Sequence, residues 1–291
     1  MSRKSDTKAR LAAAKMSDAE MQWYEGSWLD RVPQWVSITV LGATFIGLWW
    51  LIAELAFISR VLLPGPQETF YEIYSTAQNI VTGGHIYQAF VITTKEVFLG
   101  FLAAVAAGFT LGVIVGETRI GKKAVMPYLV ALNALPKVAF APVFVAWFGF
   151  GPNSKIIMAL FVAFFPVIVD TAAGLYAVET NSVMLFQAME ANRWQTLRKL
   201  KLPSALPFIF AGIKTAAVFS VVGAVVGEYL GGGKGLGEMV RLNSQNLRMD
   251  RVFALIFYLG IMGLILFGMV AFAEKKLVFW RKSEVIEVKG A

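Results

Sequence analysis

The stretch "FQAMEANRWQTLRKLKLPSALPFIFAG" runs from Phe186 to Gly212, and its reading decides the fold. It opens polar and mostly basic, closes as an apolar run, and has long apolar segments on both sides. Two Leu-Pro steps, Leu202-Pro203 and Leu206-Pro207, fall four residues apart at the transition. A chain that breaks its apolar runs in this way is building something at the edge of a membrane.

Composition supports that reading. Of 291 residues, 57% are apolar and 16% charged, against about 25% charged in an ordinary soluble domain. The apolar residues come in runs of about 20, the length that crosses a bilayer core. The expected fold is all-α: a polytopic membrane protein with six transmembrane helices and a helical cytoplasmic loop. With no cysteine, disulfides and thiolate metal sites are excluded. The single histidine, His85, reads as an ordinary residue of a Gly-Gly-His turn. No catalytic residue, metal site or cofactor is expected.

The spans read as Trp35 to Phe57, Val97 to Val115, Met126 to Gly149, Ile156 to Val178, Phe208 to Leu230 and Val252 to Ala273. Pro136 and Pro142 break the third, and Pro166 lies inside the fourth. Prolines free backbone groups that lipid cannot satisfy, so these two spans are the expected pathway walls. The domains are then a cytoplasmic tail over 1–34, a six-span transmembrane domain over 35–273 with a long polar loop at 179–207, and a cytoplasmic tail over 274–291. The N-terminal tail has no apolar stretch like that of a signal peptide and suggests a short helix around Ala9 to Ala14.

Lysine and arginine give the orientation. The N-tail, the 117–125 turn, the 179–207 loop and the C-tail are rich in them, whereas loops 58–90 and 150–155 carry one each, Arg60 and Lys155. Both termini are therefore expected in the cytoplasm. The loop at 231–251 dissents, with Lys234, Arg241, Arg248 and Arg251. The net charge of +8 is a topology signal, and no nucleic-acid partner is expected. Phe70, Ile73, Tyr74, Ala77 and Ile80 space out one face of a helix between Pro66 and Gly83-Gly84, an external helix at the interface.

The opening stretch predicts two short helices. The first caps near Thr180, Asn181 or Ser182 and carries Val183, Phe186 and Met189 as an apolar stripe. Asn192 and Gln195 predict a capping box for the second, with Leu197 and Leu200 continuing the stripe. Pro203 is expected to stop that helix and Pro207 to start the next. Such an element either lies on lipid or enters a partner's groove, and periodicity leaves both open.

Aligned on Leu202-Pro203, "MLFQAMEANRWQTLRKLKLPSALPFIFAGIK" resembles the signature loop of ABC-importer permeases. The matches include Ala191, Arg193, Trp194, Gln195, Leu197, Arg198, Pro203, Pro207 and Gly212. "LNALPKVAFAPVFVAWFGFGPNSKI" (132–156), "GAVVGEYLGGGKGLGEMV" (223–240) and "LLPGPQETF" look like the branch that imports sulfonates, taurine, nitrate or pyrimidine precursors. The resemblance covers about residues 60 to 275. One departure stands out: the family's Glu-Ala-Ala falls on Met184, Leu185 and Phe186, and its glycine on Glu190.

The resemblance implies a permease dimer in a bacterial inner membrane, two separate ABC ATPase subunits and an extracytoplasmic substrate-binding protein. The ATPase would be coupled through Phe186, Met189, Glu190, Ala191, Asn192, Arg193, Trp194, Leu197 and Pro203. The implied substrate is a small organic solute or anion, leaning toward a pyrimidine- or flavin-like precursor over taurine.

"GGGKGLGEMV" (231–240) is not a phosphate loop, because Gly235 follows Lys234 where Ser or Thr is needed and Glu228 replaces the first glycine. The chain is expected to hydrolyse no ATP itself. The substrate-pathway candidates are Asn133, Lys137, Asp170 and Glu228, since intramembrane polar groups face protein or water. Lys137 either attracts an anionic substrate or pairs with Asp170 or Glu228. The alternatives are a self-contained secondary transporter or channel, and a membrane scaffold. The former predicts inverted repeats with paired broken spans, and the sequence offers only spans three and four.

Overall fold

A computed structural model describes residues 33–55, 59–118 and 120–280. The helix expected around Ala9 to Ala14 lies outside the described residues. Among those residues the secondary structure is helical throughout.

The chain divides into two units, residues 1–66 and 67–291. In the first, α1 (Gln34–Glu54) is apolar on every side, and Trp35, Leu41 and Phe45 are exposed. A helix of this kind has lipid for a solvent. Within the unit, Trp49 Nε1 donates to Pro64 O at 3.1 Å and Arg60 pairs with Glu54 at 2.8 Å.

The second unit begins with α2 (Pro66–Val81), the expected external helix. Its inward face differs from the expected one: Thr69 and Thr76 are buried, whereas Phe70 and Tyr74 are exposed. In lipid the driving force does not hide phenylalanine, so the inward row is the one that packs closely.

α3 (His85–Glu117) is 33 residues long and takes in His85, which is its first residue and not part of a loop. α6 will be its main partner, and the reason is written at every fourth position: Gly100, Ala104, Gly108, Gly112 and Gly116. A Cβ on Gly108 would lie 2.7 Å from Val167 Cβ, so the backbones meet closely only because the side chain is missing. Small-residue stripes of this type are how membrane helices associate without a hydrophobic driving force.

A π-turn (Gly121–Val125) leads into α4 (Met126–Asn133), a 3-10 turn (Lys137–Phe140) and α5 (Ala141–Phe148). The two arms, Lys123–Asn133 and Lys137–Phe148, bend by 84°. Pro136 disfavours a helical residue before it, and its own ψ of 87° leaves the helix, which puts the break where the sequence predicts it. α6 (Pro152–Tyr176) is the core of the bundle, with Met158, Ala159, Ala163 and Val167 all fully enclosed.

α7 (Thr180–Ala188) starts after Glu179, one residue earlier than the expected caps. α8 (Arg193–Thr196), a π-turn (Leu197–Lys201) and α9 (Leu202–Gly231) then form one continuous helix of 39 residues. Pro203 therefore does not stop the second helix, and Pro207 lies inside α9. In the wider π-turn Leu202 N–H reaches back to Leu197 O, so Pro203 falls in the first turn of α9, where a missing donor costs little. α10 (Leu236–Gln245) and α11 (Met249–Leu277) complete the fold. Among the described residues five helices are long and apolar enough to cross a membrane, six if the bent pair is one span.

The dissenting basic loop has a local explanation. Arg241 pairs with Glu238, while Arg248 and Arg251 both reach Glu72 of α2 at 3.5 Å. Tyr258 also donates to Ile73 O at 2.9 Å, so these arginines help fasten α2 to α11.

Candidate functional site

The 179–207 loop is built by local rules. α7 ends with Ala191 N–H donating to Phe186 O at 3.0 Å, a closure that needs a left-handed residue. Glu190 supplies it, with φ +57°, at the position where the resembling family has glycine. Asn192 then forms the expected capping box: Gln195 N–H donates to Asn192 Oδ1 at 2.8 Å and Asn192 N–H to Gln195 Oε1 at 2.9 Å.

The candidate coupling residues divide into two groups. Met189, Glu190, Asn192, Arg193 and Trp194 are exposed, and Phe186, Ala191 and Pro203 are half-buried. Met184 and Leu185, which stand where the family has Glu and Ala, are 59% and 60% exposed and extend the free face. Leu197 is buried in a cluster with Leu175, Ala205 and Ile209, so it holds the loop from inside and offers no surface to a partner. That corrects its expected docking role, because the stripe's two ends face different neighbours. Lys201 Nζ bonds Glu117 Oε1 at 2.8 Å, and Tyr176 Oη donates to Val115 O at 2.8 Å. The first ties the loop to the end of α3, and the second ties that end of α3 to α6.

The pathway candidates also separate. Asn133 and Lys137 meet across the broken span: Lys137 Nζ donates to Asn133 O at 3.0 Å and to Asn133 Oδ1 at 2.9 Å. The ammonium lies 5.3 Å from the Phe165 ring centroid. Lys137 therefore pairs with neither Asp170 nor Glu228. Asp170 packs beside Gly212, where a Cβ would come within 2.9 Å of Asp170 Cβ.

Glu228 is 1% exposed, and its carboxylate does structural work. Thr93 Oγ1 donates to Glu228 Oε1 at 2.7 Å, and Gly237 N–H donates to Glu228 Oε2 at 2.6 Å. Leu236 N–H donates to Thr93 Oγ1 at 2.8 Å. Gly235, the residue before α10, has no side chain to cap it, so Thr93 and Glu228 satisfy its first donors from two other helices. The place a phosphate takes in a phosphate loop is filled by the chain's own carboxylate. The turn itself needs glycine at Gly232 and Gly233, whose φ values are +67° and +133°.

Sequence reasoning missed the neighbours of Glu228. Thr93 and Glu96 lie on α3 before the expected start of span two, and Lys155 reads as a loop charge but is 2% exposed. Lys155 Nζ donates to Phe150 O and Gly151 O. Extending the four-residue spacing back from Gly100 through Glu96 would have found the longer helix. A cavity of about 460 Å³ is lined by Glu96, Lys155, Glu228 and the glycine turn.

A bundle with one broken span and a tethered, partly exposed helical loop between two spans is the architecture of a membrane permease. Residues 97–279 match the model of the "Binding-protein-dependent transport system inner membrane component" family, and the chain belongs to that family. SsuC of Bacillus subtilis (strain 168), a permease protein named for aliphatic sulfonates transport, is 30% identical over 86% of this chain and 89% of its own. The formylaminopyrimidine transport permease protein ThiX of Halalkalibacterium halodurans is 30% identical over 81% and 92%. The taurine transport system permease protein TauC of Escherichia coli (strain K12) is 28% identical over 82% and 87%. Among solved structures, an inward-facing conformation of the MetNI methionine ABC transporter shares the fold, with a TM-score of 0.54 and 18% identity over 67% of this chain and 95% of that one. The chain is thus a multi-pass permease subunit of an ABC importer, a translocation subunit.

Proposed function

We propose that two copies of this chain form the substrate pathway between them, in a bacterial inner membrane with both termini cytoplasmic. Two separate ATPase subunits dock on the 179–207 loops, and an extracytoplasmic binding protein delivers the substrate. The observation that carries this reading is the exposed face of Met184, Leu185, Met189 and Trp194, on an element tied to the bundle by Leu197 and the Lys201–Glu117 pair. Burying such side chains on a partner contributes roughly 1.5–3 kcal/mol each. Asn133 and Lys137, at the 84° break, are the pathway contacts best placed to meet an anion. Asp170 keeps a lesser place beside them, and Glu228 is committed to the glycine turn. The names of the relatives support a small organic solute or anion as substrate, of the sulfonate, nitrate or pyrimidine- and flavin-precursor kinds.

The test is co-purification with a co-expressed ATPase subunit. Trp194→Asp with Met189→Asp leaves the permease inserted and abolishes co-purification. Leu197→Asp lowers accumulation of the permease itself. Assembly that survives the first double substitution rejects the docking face. Reporter fusions at Gly121, Gln195 and Gly290 report cytoplasm, and those at Gly83 and Gly232 report the outside; an external signal at Gln195 ends the coupling reading.

A further inference from the structure

The cavity beneath the glycine turn is lined by three enclosed charged side chains, Glu96, Lys155 and Glu228, at 5%, 2% and 1% exposure. Two of them are already committed. Glu228 receives donors on both oxygens, from Thr93 Oγ1 and from Gly237 N–H. Lys155 Nζ donates to Phe150 O and Gly151 O, and the turn closes over it: a Cβ on Gly231 would lie 3.5 Å from that nitrogen. Glu96 is the exception. Its Oε2 is buried and meets no donor. A buried acceptor left bare in this way is costly, and the cost is offset when a donor arrives.

The surroundings narrow down what that donor is. Two carboxylates share the cavity with one ammonium, so a positively charged donor balances it. The volume is about 460 Å³, and Ile92, Leu99, Phe150 and Ile156 form apolar walls. A space of that size and lining suits a small organic molecule. Among the described residues no three acidic or histidine side chains are placed to hold a metal ion, so the donor set fits an organic ammonium better than a metal.

The mouth adds a second condition. Lys95 of α3 and Lys234 of the turn stand exposed at its edge. They repel a simple cation and attract the anionic end of a molecule that carries both charges. Glu238 of α10 is paired with Arg241 and leaves this balance unchanged.

We propose that this cavity binds a small zwitterion: a primary ammonium joined by a short chain to an oxyanion such as phosphate. The ammonium donates to Glu96, and the anion stays at the mouth with Lys95 and Lys234. Two sources carry that chemistry. One is a free solute. The other is the ethanolamine head of a phospholipid, whose acyl chains would follow the exposed Leu99 and Leu102 of α3. Neither Asn133 nor Lys137 lines this cavity, and the site does not rest on the permease reading.

The probe is O-phosphoethanolamine, titrated by calorimetry into the full chain in nanodiscs of phosphatidylglycerol, a lipid with no amine. Saturable binding is expected. Glu96→Gln keeps the shape, loses the charge and weakens binding about tenfold or more. Ethylamine, which has no anion, binds more weakly than the probe. Leu99→Trp, at an exposed position of the wall, fills the cavity and abolishes binding; it decides the matter if Glu96→Gln does not fold. The lipid source is read by native mass spectrometry from discs that mix phosphatidylglycerol with phosphatidylethanolamine. Retention of the ethanolamine lipid by the wild type and not by Glu96→Gln assigns the lipid. Binding of the free probe without such retention assigns the solute. Neither binding nor retention, or either one unchanged in the variants, overturns the proposal and leaves the cavity to water.

Discussion

Lys201 and Glu117 form an ion pair of 2.8 Å across 84 positions of sequence, joining the 179–207 loop to the end of α3. Each side chain is about a quarter exposed, at 22% and 24%, so the pair is screened and contributes about 0.2–1 kcal/mol. Lys201→Glu lowers the unfolding midpoint, and the swapped pair Lys201→Glu with Glu117→Lys recovers most of the loss. A double-mutant cycle by thermal unfolding checks this; zero coupling energy would mean the contact is incidental.

Glu190 occupies a left-handed conformation, with φ +57°. An L-residue gives up roughly 1–2 kcal/mol there relative to glycine, part of which is offset by the greater freedom of glycine in the unfolded chain. Glu190→Gly is therefore expected to raise stability by about 0.5–1 kcal/mol. Glu190→Ala, which keeps the Cβ, does not. Thermal denaturation distinguishes the two.

Gly108 and Gly42 make a controlled comparison. A Cβ at Gly108 would lie 2.7 Å from Val167 Cβ and 2.9 Å from Phe164 O, while at Gly42 nothing lies within 4 Å. Gly108→Ala forces α3 and α6 apart and costs about 1–3 kcal/mol. Gly42→Ala is neutral or slightly stabilising. Accumulation in membranes and the unfolding midpoint are the readouts, and equal behaviour would refute the close-packing account.

Thr93 is both donor to Glu228 and acceptor from Leu236 N–H. Thr93→Val keeps the shape and leaves a buried N–H unpaired, at a cost of about 1–3 kcal/mol. Thr93→Ser restores most of it. Hydrogen exchange at the start of α10 should rise in the valine variant and not in the serine variant.

What could be foreseen from the sequence followed the range of the interaction. The capping box at Asn192 rests on residues three apart, and it formed as expected. The break at Pro136 was equally local. Pro203 misled because its penalty is local, but the π-turn before it supplies a compensation that no spacing announces. Leu197 lay on a stripe that gave a face and did not say which neighbour takes it. The Thr93–Glu228 bond spans 135 positions, and only packing brings it about. Lys155 showed the same limit, since a lysine beside a loop reads as surface until the helices close over it.

The uninterrupted helix from Arg193 to Gly231 has a mechanical meaning. Its 39 residues, at 1.5 Å each, make a rod about 58 Å long, nearly twice the thickness of the bilayer core. Trp194 rides at one tip and Glu228 near the other. A rod of that length pivoting by about 5° carries its far tip through about 5 Å. On the proposed docking, a push at the Trp194 tip is expected to arrive as displacement beneath the glycine turn.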